Sequence, residues 1–324
     1  MLAVVPSTPC FEKEVTLHRI ASSVYKAKQH GATVVVLPEQ FNCPYGVNHF
    51  PEFFEQITDD SPTIQVLSTA ARCNDVYIIG GSMPEIKDGT LYESCPVINR
   101  DGNLIGVYRR LHLCCKDYSF DCLPKESDII SAGDSPLIVK TELATFGIGI
   151  GFDIYSPELA MAYANAGCEM LVYAAGMKSA EEKERFNTVA RVRAVDTKCY
   201  VVACGSKEMQ QDDAEYKELV AVNPYGTIMS WQQFPDETNP PQLAKFDLKD
   251  VDVARRLTEM YATEHYLLAH RPLIVGEKQT DAQKNLHKIR FRNFESVRLS
   301  SDWLLRCSRV VSWRHKRSFE DIGT

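Results

Sequence analysis

Four short segments place polar groups where apolar runs stop, and each could do chemistry. Glu39 closely follows the run Thr33-Val34-Val35-Val36-Leu37, closed by Pro38. A carboxylate there is either a helix-start charge or a poised general base. Tyr108-Arg109-Arg110-Leu111-His112-Leu113 is a basic patch that ends a second run. A further loop carboxylate stands in Lys125-Glu126-Ser127, with Ser131-Ala132-Gly133-Asp134 after it. In Gly147-Ile148-Gly149-Ile150-Gly151-Phe152-Asp153 an apolar run enters a turn, and the residue at its mouth, Gly151, has no side chain. Singly, each segment is weak, because a lone acid or arginine at a strand end is more often structural than catalytic.

The elements that must position these groups alternate between strand-like and helix-like runs. Residues 1 to 5 read as a strand. Residues 13 to 29 put Leu17, Ile20, Ala21, Val24 and Ala27 on one helical face, and Gly31 follows as a stop. Residues 33 to 37, 76 to 80, 146 to 152, 170 to 173, 200 to 203 and 219 to 222 are predicted strands. Residues 94 to 99 and 104 to 109 form a hairpin-like pair joined by Arg100-Asp101-Gly102. Helices are predicted over 62 to 73, over 158 to 166 with Pro157 in the first turn and Gly167 ending it, and over 180 to 195. Continuous apolar strands flanked by amphipathic helices imply an α/β fold with sheets covered by helices.

Composition narrows the function classes. A net charge of -7 over 324 residues does not favour nucleic acid as a partner. There is no apolar run of about 18 residues, so no membrane span is expected. The start has no basic segment, apolar stretch and cleavage site, which points to a cytoplasmic protein. None of the 11 cysteines forms a Cys-x-x-Cys pair, and the odd count argues against a full disulfide framework. Reduced, buried thiols are expected, and neither a metal nor a cofactor. Residues 277 to 324 differ from the rest, with 11 Lys and Arg against 6 Asp and Glu. They read as a basic C-terminal extension, partly disordered or acting as an interaction arm, after a domain spanning 1 to 276.

In this order and spacing the four segments resemble the nitrilase superfamily of carbon–nitrogen hydrolases, most of all its omega-amidase branch. The similarity continues through Asn42-Cys43-Pro44-Tyr45-Gly46, Tyr77-Ile78-Ile79-Gly80-Gly81-Ser82, Pro157-Glu158-Leu159-Ala160 and Arg193-Ala194-Val195-Asp196. It implies a four-layer α-β-β-α sandwich that forms a homodimer, or assembles with relatives, through its outer layers. It also implies amide hydrolysis by a Glu, Lys and Cys triad. The thiolate attacks the carbonyl, the glutamate moves the proton, and the lysine and a backbone N–H hold the oxyanion.

Carried over by motif, Glu39 matches the base and Glu126 the second glutamate. Arg110 stands where the family has lysine, and Gly151 where it has the nucleophilic cysteine. Tyr45, Phe152, Ala175 and Met177 fall at the positions expected to line the substrate. Ala174-Ala175-Gly176-Met177 replaces the usual proline-led turn, and Arg185-Phe186 replaces His-Trp. Glycine cannot form an acyl-enzyme, and losing the nucleophile of a cooperating triad costs on the order of 10⁶ in turnover in subtilisin. Arginine keeps the charge but is bulkier and planar, and it is expected to pair with Glu39 or Glu126. Cys43, Cys114 and Cys115 are sequence neighbours of the site but are not expected to reach the carbonyl. The resemblance therefore implies a catalytically impaired member, a pseudoenzyme that binds a dicarboxylate or its monoamide or acts by assembly. The alternatives are a working hydrolase that converts 2-oxoglutaramate-like amides to keto acids and ammonia, and a protein acting through its basic tail.

Overall fold

The computed structural model describes residues 1–5, 7, 9–114, 126–176, 180–205, 219–232, 234 and 240–261. Met177, Cys115, Lys125 and the basic extension from 277 onward lie outside the described residues. The chain runs β1 (Leu2–Val4), α1 (Lys13–Gln29), β2 (Val34–Val36), α2 (Phe50–Phe53), α3 (Pro62–Asn74), β3 (Tyr77–Ile79), β4 (Met83–Lys87), β5 (Thr90–Ile98) and β6 (Leu104–Arg109). It continues with α4 (Glu126–Ile129), β7 (Ile138–Lys140), β8 (Thr145–Ile150), α5 (Pro157–Asn165), β9 (Met170–Ala174), α6 (Ala180–Thr197), β10 (Tyr200–Cys204), β11 (Leu219–Val222), β12 (Gln242–Ala244) and α7 (Lys249–Tyr261).

The strands form two sheets. One is ordered β12-β1-β2-β3-β5-β4, with β6 on the other edge of β5, and the second is ordered β11-β10-β9-β8-β7. The side-chain period of two sorts each strand between two cores. Leu2, Val4, Val34, Val36, Tyr108, Ile148, Ile150, Met170 and Val172 meet in one apolar layer, so the two sheets face each other. The alternate residues of the first sheet, Ala3, Val35 and Ile78, pack on Leu17, Ile20 and Val24 of α1 and Ile64 and Leu67 of α3. On the far side Leu171, Tyr173, Val201 and Ala203 pack on Leu159 and Tyr163 of α5 and Phe186 and Ala190 of α6. The result is the expected α-β-β-α sandwich.

The boundary that differs from the sequence reading at the site is the end of the strand before Gly151; elsewhere β5 starts earlier, at Thr90, and α6 runs on to Thr197. β8 ends at Ile150, and Gly151–Tyr155 is a turn of 3-10 helix. The Asp153 carboxylate accepts the Ile150 N–H at 2.8 Å and stops the strand there. α5 starts as expected, with Pro157 in its first turn and Ser156 Oγ accepting the Leu159 N–H at 3.2 Å. No helix among the described residues is long and apolar enough to cross a membrane. No two of the described cysteines are bridged to each other, and Cys43, Cys95, Cys168, Cys199 and Cys204 are buried.

Candidate active site

The residues singled out by motif converge where the two sheets meet at the ends of β2, β6, β8 and β9. Glu39 follows β2, and its N–H donates across to Cys204 O at the end of β10, at 3.2 Å. Its Oε2 accepts the Gly176 N–H at 2.8 Å. Arg110 follows β6, with its N–H donated to Glu93 O at 2.9 Å. Glu126 opens α4 and accepts the Cys114 N–H at 2.6 Å.

Arg110 is the centre of the arrangement and is 2% exposed. Nε donates to His112 O at 3.0 Å, Nη1 to Glu93 Oε2 at 2.8 Å, and Nη2 to Glu126 Oε2 at 3.0 Å. The sequence reading expected a partner in Glu39 or Glu126, and Glu126 is one. The other, Glu93, was missed. It lies in β5 with no exposed surface, and Ser82 Oγ donates to its Oε1 at 2.7 Å. Ser82 Oγ also accepts the Gln40 N–H at 2.8 Å, which ties Glu93 back to the loop carrying Glu39. In sequence, Glu93 reads as an ordinary polar residue of a hairpin strand. The only available signal was an acid opposite an arginine patch on the paired strand.

Gly151 sits beneath the guanidinium with φ +52°. A β-carbon there would lie 2.8 Å from Arg110 Cζ and Nη2, and 2.9 Å from Glu39 Oε1. The volume a nucleophile would enter is thus filled by the arginine and the glutamate. The Phe152 ring, itself partly exposed, has the guanidinium carbon 5.7 Å from its centroid.

Electrostatics follow from burial. Removal from water, and then the Glu93 charge, push the Glu39 carboxyl up to about 8, against the opposing pull of Arg110 and the Gly176 N–H. Burial also raises Glu93, with Arg110 opposing. Burial alone would lower Arg110, but Glu93, Glu126 and Glu39 outweigh it and hold the guanidinium charged.

Asp153 braces the turn. It is fully buried and accepts the Tyr108 hydroxyl at 2.6 Å, the His112 N–H at 3.0 Å and, besides Ile150, His112 Nδ1 at 2.7 Å. These bonds set the path of the chain that delivers Arg110.

The remaining predicted positions are spread out. Tyr45 is half-buried in the loop after Glu39. Ala175 directs its methyl into the core behind the second sheet, so the turn offers the site its Gly176 N–H instead. Cys43 packs with Phe50, Phe53 and Ile130 in a separate cluster, and burial pushes its thiol up. Among the described residues no group of His, Cys, Asp and Glu could hold a metal ion.

The carbon–nitrogen hydrolase family profile matches residues 2–256. Omega-amidase NIT2 of Homo sapiens is 36% identical over 221 residues, covering 67% of this chain and 79% of that protein. A hydrolase of Schizosaccharomyces pombe is 34% identical over 256 residues, 79% of each chain. Among solved structures, Saccharomyces cerevisiae Nit3, a member of branch 10 of the nitrilase superfamily, superposes with a TM-score of 0.69. It is 27% identical and covers 81% of this chain and 95% of that one. A double sheet clad in helices, a glutamate after β2, a cation after β6 and a tight turn after β8 agree with that match, and the chain belongs to the carbon–nitrogen hydrolase family, the nitrilase superfamily.

Proposed function

We propose that this protein is an omega-amidase-like member of the family that keeps the scaffold and has lost the acyl-transfer chemistry. One observation carries the reading. The turn after β8 presents Gly151, and the space beside it holds the Arg110 guanidinium. Without a thiol no thioester forms, and Glu39 has no nucleophile to deprotonate. A carboxyl held near 8 is mostly protonated at neutral pH, so Glu39 is suited to donate to a carbonyl oxygen. The guanidinium is already paired with Glu93 and Glu126. A neutral amide therefore suits this site better than a second carboxylate does.

The test is ammonia release from omega-amides of 2-oxo dicarboxylates by the parent chain, Gly151→Cys, and Gly151→Cys with Arg110→Lys. The expected result is none from the parent and activity only in the double variant. Turnover by the parent, lost on Glu39→Ala, would establish the alternative, a working amide hydrolase.

Assembly is the second reading, and a surface feature favours it. Val192 and Val195 of α6, Tyr225 and Ile228, and Val253 and Leu257 of α7 are exposed apolar residues. The turn carrying Tyr225 touches both helices: its hydroxyl donates to Asp250 O at 3.4 Å, and Gly226 abuts Val195. We infer that this outer face joins two copies or pairs with an active relative. A monomeric mass in solution, with no association with relatives, would remove this reading.

A further inference from the structure

We propose that Glu93 is a positioning residue that pins the Arg110 guanidinium in the space a side chain on residue 151 would occupy, making Glu93, Arg110 and Gly151 one interlocked unit. This deepens the reading of a disarmed site and rests on it.

The far end of an arginine is ordinarily free to swing aside when a neighbour grows. Here it is held at all three nitrogens, by His112 O, Glu93 and Glu126. Both Arg110 and Glu93 are buried, so a guanidinium that moved would leave a dry carboxylate without its counter-charge. Glu93 cannot follow it, because Ser82 Oγ holds the other carboxylate oxygen at 2.7 Å and is itself bonded to the Gln40 backbone. Glu126 differs: its side chain is 21% exposed, so water can replace the arginine there. Of the two acids, Glu93 fixes the guanidinium over Gly151. Two consequences follow. A cysteine restored at 151 alone meets an immovable neighbour, and shortening the cation or removing the Glu93 charge makes room for it.

The test is a melting-temperature cycle on the full chain. Gly151→Ala is made in the parent, in Arg110→Lys and in Glu93→Gln, and each double variant is compared with its own single-variant background. The strain of a side chain at positive φ and its 2.9 Å approach to Glu39 Oε1 are common to all three comparisons, so their differences report the contact with the guanidinium. The expected fall caused by Gly151→Ala in either background is smaller than its fall in the parent, by more than the error of the measurement. A Glu93 that merely supported the strand would lower every melting temperature without altering the effect at 151. A fall equal to the parent's in either background overturns the proposal. If Glu93→Gln does not fold, Glu93→Asp, which draws the charge back by one methylene, enters the same cycle under the same criterion. Amide turnover by the parent would overturn the loss of catalysis while leaving this cycle to decide the interlock separately.

Discussion

Arg110 and Gly151 share one volume: a β-carbon built on residue 151 would stand 2.8 Å from the Arg110 guanidinium carbon. The side chains that positions 110 and 151 can carry are therefore linked by space, since a larger residue at 151 requires the guanidinium to move.

Gly151→Cys alone is expected to be inactive toward amides and to destabilise the chain. Left-handed backbone for a non-glycine residue and overpacking against a fixed guanidinium together cost about 2–4 kcal/mol. Urea denaturation of parent and variant checks this, and a stability change below about 0.5 kcal/mol would contradict it.

Stability should fall as pH rises through the neutral range. Glu39 titrates near 4.5 ordinarily and near 8 in the folded chain. Between those values the folded state holds a proton that the unfolded state has released, so unfolding becomes easier at up to about 1.4 kcal/mol per pH unit. Below both values and above both, Glu39 adds no slope. Glu39→Gln should flatten the profile between pH 5 and 8, and a variant with the parent's slope would show that the shift is absent.

Asp153→Ala should be among the most damaging substitutions near the site. It strips the buried Tyr108 hydroxyl and the Ile150 N–H of their acceptor, at about 3 kcal/mol in total. For a chain of this size that is a fall in melting temperature of roughly 5 °C, measurable by calorimetry.

The thiols should separate by burial. Cys73 is exposed, whereas burial pushes Cys43, Cys95, Cys168 and Cys199 up. Alkylation of the native chain, mapped by peptide mass, should label Cys73 at least about tenfold faster than those four.

Much of this architecture was legible in the residues. α1 follows from its apolar stripe and Gly31, β9 and β10 from their unbroken apolar runs, and α5 from Pro157 and Gly167. The site positions Glu39, Arg110, Glu126 and Gly151 came from motif order, and the fold brings them together. What escaped depends on partners distant in sequence. β12 is three residues with no period, and becomes a strand because Leu2 and Val4 pair with Ala244 and Gln242. β4 contains Pro84 and runs into Lys87 and Asp88, which read as a turn, yet it pairs along β5 from Met83↔Ser94 to Lys87↔Thr90. Glu93 is the instructive omission. Nothing local distinguishes a carboxylate at a strand's outer face from one buried against an arginine delivered by the next strand.

Glu39 binds the two sheets together, since its N–H reaches Cys204 O and its carboxylate the Gly176 N–H, while the Cys204 thiol donates to Leu37 O at 3.3 Å. The side chain thus spans the seam between the sheets whether or not any amide is turned over. The main-chain bond to Cys204 does not depend on the side chain at position 39, whereas the bond to Gly176 needs its carboxyl. In this chain a glutamate at position 39 is a component of the seam as much as of the site, and its presence alone says nothing of turnover.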